Sequence, residues 1–284
     1  MSRPINDADP VFNNDFVLGL VRRHAPDAGK VTFVDEQGGT ARTYHIDGNL
    51  CLKVQRPHRV RNATSIEREV FVLKQLEKEG VNNIPRSLGY GREGALEYNC
   101  MTLIPGTAVR FTKLNAKQRN DMLYELGKTV YAVHHTNLKS LLNSGLNFEA
   151  HTTPEEIRNQ VWFYYNRNIG NASKGLSQEE IDEAKDRAEK LIAKITEAKA
   201  GLRHGDPSDE HTFVNNGLYS GLIDFGDSYI SHPAFDLRRW PDEDRPQLLK
   251  GYMSAGPVED SFLPVCEVIF AVENILTALS RKSA

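Results

Sequence analysis

The stretch LRHGDPSDEHTFVNNGLYSGLIDFGDSYISHPAFDL, residues 202–237, gathers His204, Asp206, His211, Asp224 and Asp227 around two short apolar runs. Those runs, Thr212-Phe213-Val214 and Gly221-Leu222-Ile223, are separated by Asn215-Asn216-Gly217, which favours a tight turn between antiparallel strands. A hairpin there returns the chain beside its start, so Asp206, His211 and Asp224 are expected to converge. The spacing is that of a phosphoryl-transfer site. One aspartate accepts a hydroxyl proton, while a ligand five positions on and an aspartate before Phe-Gly hold a divalent cation against nucleotide phosphates.

The elements that must position these groups divide at Pro105-Gly106. Before it, KVTFVDEQGGTARTYHIDGNLCLKVQ has β-branched runs broken at Gly38-Gly39 and at Asp47-Gly48-Asn49, the pattern of antiparallel strands joined by turns. SIEREVFVLKQLEKEG then predicts a helix, with Ser65 as cap, Ile66, Val70, Leu73 and Leu76 along one face, and Gly80 as stop. YNCMTLIPG reads as a further strand. Lys53 lies inside an apolar strand, where a lysine needs a partner; Glu69 and Glu67 on the helix are the candidates. After Gly106 the pattern is helical. Asn115 with Gln118, Thr153-Pro154 with Glu156, and Ser177 with Glu180 each mark a helix start. The expected organisation is a strand-rich lobe over residues 1–105 and a helical lobe over 106–284, the boundary falling at Pro105-Gly106.

HGDPSDEH, LIDFGD and HPAFDL, with LCLKV, REVFVL and CMTLIPG before them in order, resemble the aminoglycoside phosphotransferase and choline kinase family, small-molecule relatives of protein kinases. The resemblance covers nearly the whole length. It implies an α+β, two-lobed protein-kinase-like fold, with an antiparallel-sheet N-lobe carrying one helix and a mainly helical C-lobe. It implies Asp206 as catalytic base and His211 with Asp224 as ligands of Mg2+; Mn2+ is the alternative, because it tolerates a nitrogen ligand better. The match to REVFVL favours Glu69 over Glu67 as the partner of Lys53. Gly38, Gly39, Cys51, Met101, Thr102, Ile104 and Ile223 would border ATP, or GTP, with Met101 as gatekeeper, the Thr102 carbonyl and Ile104 amide facing the base, and Cys51 over it. His211 departs from the family's usual asparagine, and an imidazole is a softer ligand than magnesium prefers. Ser231-His232-Pro233 departs from the usual Gly-Asp-Pro and reads as structural, leaving Asp236 as a helix-start residue.

From Gly226 to Asp236 the chain is short and lacks an Ala-Pro-Glu sequel, which disfavours a protein acceptor. A small hydroxyl compound is expected. Asp209, Glu210, Asp227, Asp242, Glu243 and Asp244 would suit a cationic aminoglycoside by charge, although Arg238 and Arg239 interrupt that field and Asp242–Asp244 read as solvated surface. Choline, homoserine, methylthioribose and macrolides are the alternatives within the family, and a nucleotide-binding pseudokinase with little turnover is the alternative outside it. Lys and Arg number 35 against 38 Asp and Glu, a net charge of −3, so no global field argues for nucleic acid or an anionic membrane. The apolar segment FLPVCEVIFAVENILTAL is interrupted by Glu267 and Glu273 and is not expected to span a bilayer. Three scattered cysteines fit reduced thiols and a cytoplasmic protein. Oligomeric state is left open.

Overall fold

The computed structural model describes residues 11–56, 66–93 and 96–282; the Ser65 cap lies outside them. The described chain begins with a helix not expected from sequence, α1 (Asn14–Val21), capped by the Asn13 side chain, which accepts from the Phe16 amide at 2.9 Å. Five strands follow with one helix among them: β1 (Val31–Asp35), β2 (Ala41–Ile46), β3 (Leu50–Gln55), α2 (Ile66–Lys78), β4 (Ser87–Glu93) and β5 (Leu96–Thr102). They form one antiparallel sheet in the order β1-β2-β3-β5-β4. Asp47 and Gly48, both at positive φ, close the β2–β3 hairpin.

Period-two alternation along β3 sorts its side chains. Leu52 and Val54 join Val17, Leu18, Leu20 and Val21 of α1 in a small outer core. Cys51 faces the other way and joins Val72, Leu73 and Leu76 of α2 in the large core that continues through the rest of the molecule. Leu73 and Leu76 are fully buried, each contributing about 1.5–3 kcal/mol relative to an exposed side chain.

Beyond β5 the chain turns at Gly106, whose φ is +102° and whose added Cβ would lie 2.0 Å from the Val214 carbonyl oxygen. Only glycine suits that close approach. The short β6 (Thr107–Ala108) thereby pairs with the strand at Phe213 and Val214. Helices α3 (Ala116–His134), α4 (Leu138–Leu142), α5 (Pro154–Ala172) and α6 (Gln178–Ile192) come next, and α3, α5 and α6 each open on the capping box expected from sequence. Then β7 (Gly201–Arg203), β8 (Thr212–Asn215), β9 (Leu218–Leu222) and β10 (Tyr229–Ser231) form two small sheets, β6-β8-β9 and β10-β7. The hairpin turn has Asn216 at φ 51° and Gly217 at φ 78°, the double positive φ that this tripeptide suits.

The chain ends in α7 (Ala234–Leu237), α8 (Arg245–Ser254) and α9 (Phe262–Lys282). Helix α9 has the length and mean hydropathy, 1.8, of a spanning helix, yet it packs on α5, α6 and α7 and buries Val265, Cys266, Ile269 and Val272. It is a core helix of this fold.

Candidate active site

Lys53 on β3 reaches both lobes. Its Nζ donates to Glu69 Oε1 on α2 at 2.9 Å and to Asp224 Oδ1, beyond β9, at 2.7 Å. Glu69 is 1% exposed, whereas Glu67 faces solvent, so the helix offers only one carboxylate to the strand. Burial alone would lower the Lys53 ammonium, but Asp224 and Glu69 hold it well above its usual range and charged. Burial pushes the Glu69 carboxyl up against the pull of Lys53. Asp224, 44% exposed at its side chain, goes the other way: partial burial would raise it, but Lys53 and His211 hold it well below the ordinary carboxylate range. It is ionised at neutral pH. Asp224 takes a left-handed φ of 68°, an uncommon conformation for a residue with a Cβ, which an aspartate tolerates better than most.

The expected hairpin brings the other titratable groups to this point. His211 Nδ1 lies 2.8 Å from the Asp206 carbonyl oxygen, an acceptor only, so Nδ1 carries the proton and the Nε2 lone pair is left free. That Nε2 lies 3.6 Å from Asp224 Oδ2. His204 serves differently. Its Nε2–H donates to the Ile223 carbonyl at 2.9 Å and its Nδ1 accepts from the Asp206 amide at 3.2 Å. Burial lowers its pKa to about 4, so it stays neutral and ties the loop of Asp206 to the strand end at Ile223. Gly205 between them has φ +98°, and a Cβ there would lie 2.3 Å from the Asp227 carbonyl oxygen. The Asp206 carboxylate presents Oδ2 toward His211, 3.7 Å from Nδ1, and its Oδ1 is engaged by Arg239 through Nε at 2.7 Å and through Nη2.

Two buried groups hold this arrangement from behind. Asp236, expected as a helix-start residue, lies in the first turn of α7 with its side chain turned inward and no exposed surface. Its Oδ1 accepts from Arg203 Nη2 at 2.7 Å and Nε at 3.2 Å and from the Gly205 amide at 3.1 Å; its Oδ2 accepts from the His204 amide at 2.8 Å and His134 Nε2 at 2.9 Å. Burial would raise this carboxyl, but Arg203 and His134 hold it far below its usual range. Arg68, beside Glu69 on α2, donates to the carbonyls of Asn147 at 3.1 Å, Gly226 at 3.2 Å and Ser228 at 3.1 Å, with its guanidinium 5.3 Å from the Phe148 ring centroid. Helix α2 is thereby fastened to the segment that carries Asp224.

The remaining residues singled out from sequence fall around this cluster. Cys51 and Lys53 share a strand face; the Cys51 thiol is 3% exposed and burial pushes it well above the usual cysteine range. Met101 pairs with Cys51 across β3 and β5. Thr102 exchanges backbone and hydroxyl bonds with Arg86, and the Leu103 amide donates to Asn49 O at 2.8 Å, while Ile104 packs against Gly221. Ile223 is half-buried, between His211 and His204. Gly38 and Gly39 lie in the β1–β2 loop, where a Cβ on Gly38 would meet the Ala41 carbonyl oxygen at 2.2 Å; among the described residues no hydrogen bond joins that loop to Lys53, Glu69 or Asp224.

Asp244 requires a correction: it is 4% exposed and accepts from Arg119 Nε at 2.7 Å, so it is not solvated surface, whereas Asp242, paired with Arg245, and Glu243 are exposed as expected. Sequence reading passed over Arg68, Arg203 and the inward role of Asp236. Arg68 and Asp236 lie within REVFVL and HPAFDL, and Arg203 immediately precedes HGDPSDEH, the only local signal available for them.

Among the described residues, no group of three or more His, Cys, Asp or Glu side chains is arranged to hold a metal ion alone. The pair of Asp224 Oδ2 and the His211 Nε2 lone pair suits a divalent cation that takes its other ligands from phosphates and water.

A family model described as the phosphotransferase enzyme family matches residues 34–262. No curated protein sequence matches the chain significantly. The apoenzyme of macrolide 2'-phosphotransferase MphH from Brachybacterium faecium aligns with a TM-score of 0.63 at 19% identity, over 94% of this chain and 93% of that one. The GDP complex of wild-type aminoglycoside 2'-phosphotransferase-IIIa gives 0.65 at 16% identity, over 95% and 93%. For the streptomycin–ATP ternary complex of APH(2")-IIa the values are 0.60 and 15%, over 94% and 91%. At such identities the structures report a shared fold. The family match runs from β1 through Lys53 and the β8–β9 hairpin to the start of α9, and the chain belongs to the phosphotransferase enzyme family.

Proposed function

We propose that the protein transfers the γ-phosphoryl group of ATP, or GTP, to a hydroxyl of a small molecule. The observation that carries this reading is the convergence of Lys53, Glu69, Asp224, His211 and Asp206 within one bonded cluster. Lys53, held by Glu69, faces the α and β phosphates. Asp224 and His211 would hold Mg2+ or Mn2+, which supplies charge neutralisation at the phosphates when bound. Asp206 accepts the acceptor's hydroxyl proton as its oxygen bonds to the γ-phosphorus and the β–γ bridge breaks toward the nucleoside diphosphate. Met101, Thr102, Ile104, Ile223 and Cys51 line the side on which the base lies, and the β1–β2 loop with Gly38 and Gly39 covers it. Residues 1–105 and 106–284 act as the nucleotide and acceptor lobes of a cytoplasmic enzyme.

Of the six acidic residues behind the opposite-charge case for an aminoglycoside acceptor, three are paired: Glu210 with Arg110, Asp242 with Arg245 and Asp244 with Arg119. The acceptor is therefore sought across aminoglycosides, macrolides and smaller hydroxyl metabolites. Thermal stabilisation by ATP with Mg2+, followed by ADP release on that panel, tests the reading. Stabilisation with no turnover on any acceptor supports a pseudokinase instead, and no nucleotide effect at all removes both.

A further inference from the structure

The carboxylate assigned as base does not stand open. Its Oδ1, the oxygen turned away from His211, already accepts two N–H bonds from Arg239. An acceptor hydroxyl that hands its proton to either oxygen of Asp206 comes within reach of this guanidinium. Both side chains are partly exposed, Arg239 by 38% and Asp206 by 25%, so the pair sits where solvent and substrate enter. The neighbouring backbone is fixed: Trp240, 2% exposed, donates its Nε1–H to the Pro207 carbonyl at 2.7 Å, locking the residue after Arg239 against the residue after Asp206. The guanidinium can swing, but its Cα stays beside the base.

The other cations of this region are engaged elsewhere. Arg238 pairs with Glu273 at 3.0 Å and lies over the Tyr164 ring, Arg119 and Arg245 take Asp244 and Asp242, and Arg110 takes Glu210. Arg239 alone among these has the catalytic carboxylate as its partner. A guanidinium is released from a carboxylate most readily by another anion that offers the same paired acceptors, and a half-exposed ion pair holds weakly enough for the exchange. A polycationic acceptor would instead meet Arg239 as a like charge.

We propose that Arg239 determines acceptor specificity, selecting hydroxyl compounds that carry an anionic group, carboxylate or phosphate, within guanidinium reach of the reacting hydroxyl. This rests on the phosphotransfer reading. When the anion binds, Arg239 moves onto it and frees Asp206 Oδ1. The acceptor O–H proton passes to that oxygen, the O–Pγ bond forms, the Pγ–O bond to the β-phosphate breaks, and ADP leaves with the bridging oxygen. Arg239 is unchanged covalently and remains on the acceptor anion.

The test uses the full chain, first for stabilisation by ATP with Mg2+ and then for ADP release with four acceptor sets: hydroxycarboxylates, sugar phosphates, uncharged polyols and kanamycin. Wild type is compared with Arg239→Ala and Arg239→Lys. Expected is turnover in one of the two anionic sets, which tells carboxylate from phosphate. In Arg239→Ala the kcat/KM for that acceptor falls about ten- to hundredfold, the scale of a lost charge-assisted hydrogen bond, while the KM for ATP moves less than twofold. Arg239→Lys recovers part of the loss, and blocking the acceptor's anion as an amide or ester removes the difference between wild type and Arg239→Ala. Nucleotide stabilisation with transfer to kanamycin or polyols but to no anionic compound overturns the proposal alone, as does an anionic acceptor whose kcat/KM is the same in Arg239→Ala. No nucleotide stabilisation of the wild type overturns the phosphotransfer reading and this proposal with it.

Discussion

Replacing Asp236 by Asn removes a charge and keeps the shape. The carboxylate accepts five hydrogen bonds, two of them from Arg203, whose side chain is 1% exposed. An asparagine amide has one acceptor oxygen. Set toward Arg203 and Gly205, that oxygen leaves the NH2 facing the His204 amide, donor against donor; turned over, it leaves a buried guanidinium facing an NH2. His134 can adapt, since with its Tyr252 hydroxyl partner at 3.1 Å either tautomer finds a bond, but the backbone amide and Arg203 have no such freedom. Breaking a buried pair by neutralising one member costs about 3–5 kcal/mol. At about 2–4 °C per kcal/mol for a domain of this size, the melting temperature should fall by about 6–20 °C at pH 7. Because the carboxyl is held below its unfolded value, its contribution is full above that value, about pH 4, and is lost as pH falls further. The gap between wild type and Asp236→Asn should therefore begin to narrow below about pH 4 and would close only as pH approached the far lower folded value. Circular dichroism melts of both proteins between pH 3 and pH 8 (a range of assay conditions, roughly spanning that value) measure this. A drop under about 2 °C at pH 7 would refute the hub role, since it equals less than about 1 kcal/mol.

Asp206→Asn should keep nucleotide stabilisation and the wild-type fold while turnover falls about a hundredfold or more, measured as ADP release on the best acceptor. Arg68→Met removes the bonds to Asn147, Gly226 and Ser228 while retaining a long apolar stem; the KM for ATP should rise several-fold, and an unchanged KM would mean that Glu69 and Asp224 need no fastening between them. His211→Asn exchanges nitrogen for an amide oxygen and should support activity with Mg2+, whereas the wild type should do at least as well with Mn2+. Titrations of activity with each metal for both proteins would show this, and identical metal preferences would make His211 a packing residue.

Local chemistry made much of the site legible. The Asn215-Asn216-Gly217 turn and the lysine in an apolar strand each describe a need that nearby residues must meet, and three capping boxes announce three helix starts. What sequence reading lost depends on partners far along the chain. Asp244 reads as surface beside Asp242 and Glu243, and only Arg119, 125 positions earlier, makes it a buried acceptor. Arg68 reads as one more helix charge until the chain returns at Gly226, 158 positions later. Helix α1 was missed for a different reason. Its eight residues carry a clear cap and the apolar set Val17, Leu18, Leu20 and Val21, but a short helix in a polar setting is stabilised by the sheet face it covers.

The three carbonyls that Arg68 grips have a consequence for ligand choice. In kinase-like sites, some ligands enter only when the helix bearing the glutamate swings outward or the Asp-Phe-Gly segment turns over. Here an outward swing of α2 would strand a buried guanidinium away from Asn147, Gly226 and Ser228 at once, and a turn of the Asp-Phe-Gly segment would withdraw the Gly226 and Ser228 carbonyls from it. Compounds that demand such a rearranged pocket should bind poorly, and compounds that mimic the flat base and its hinge contacts should bind well.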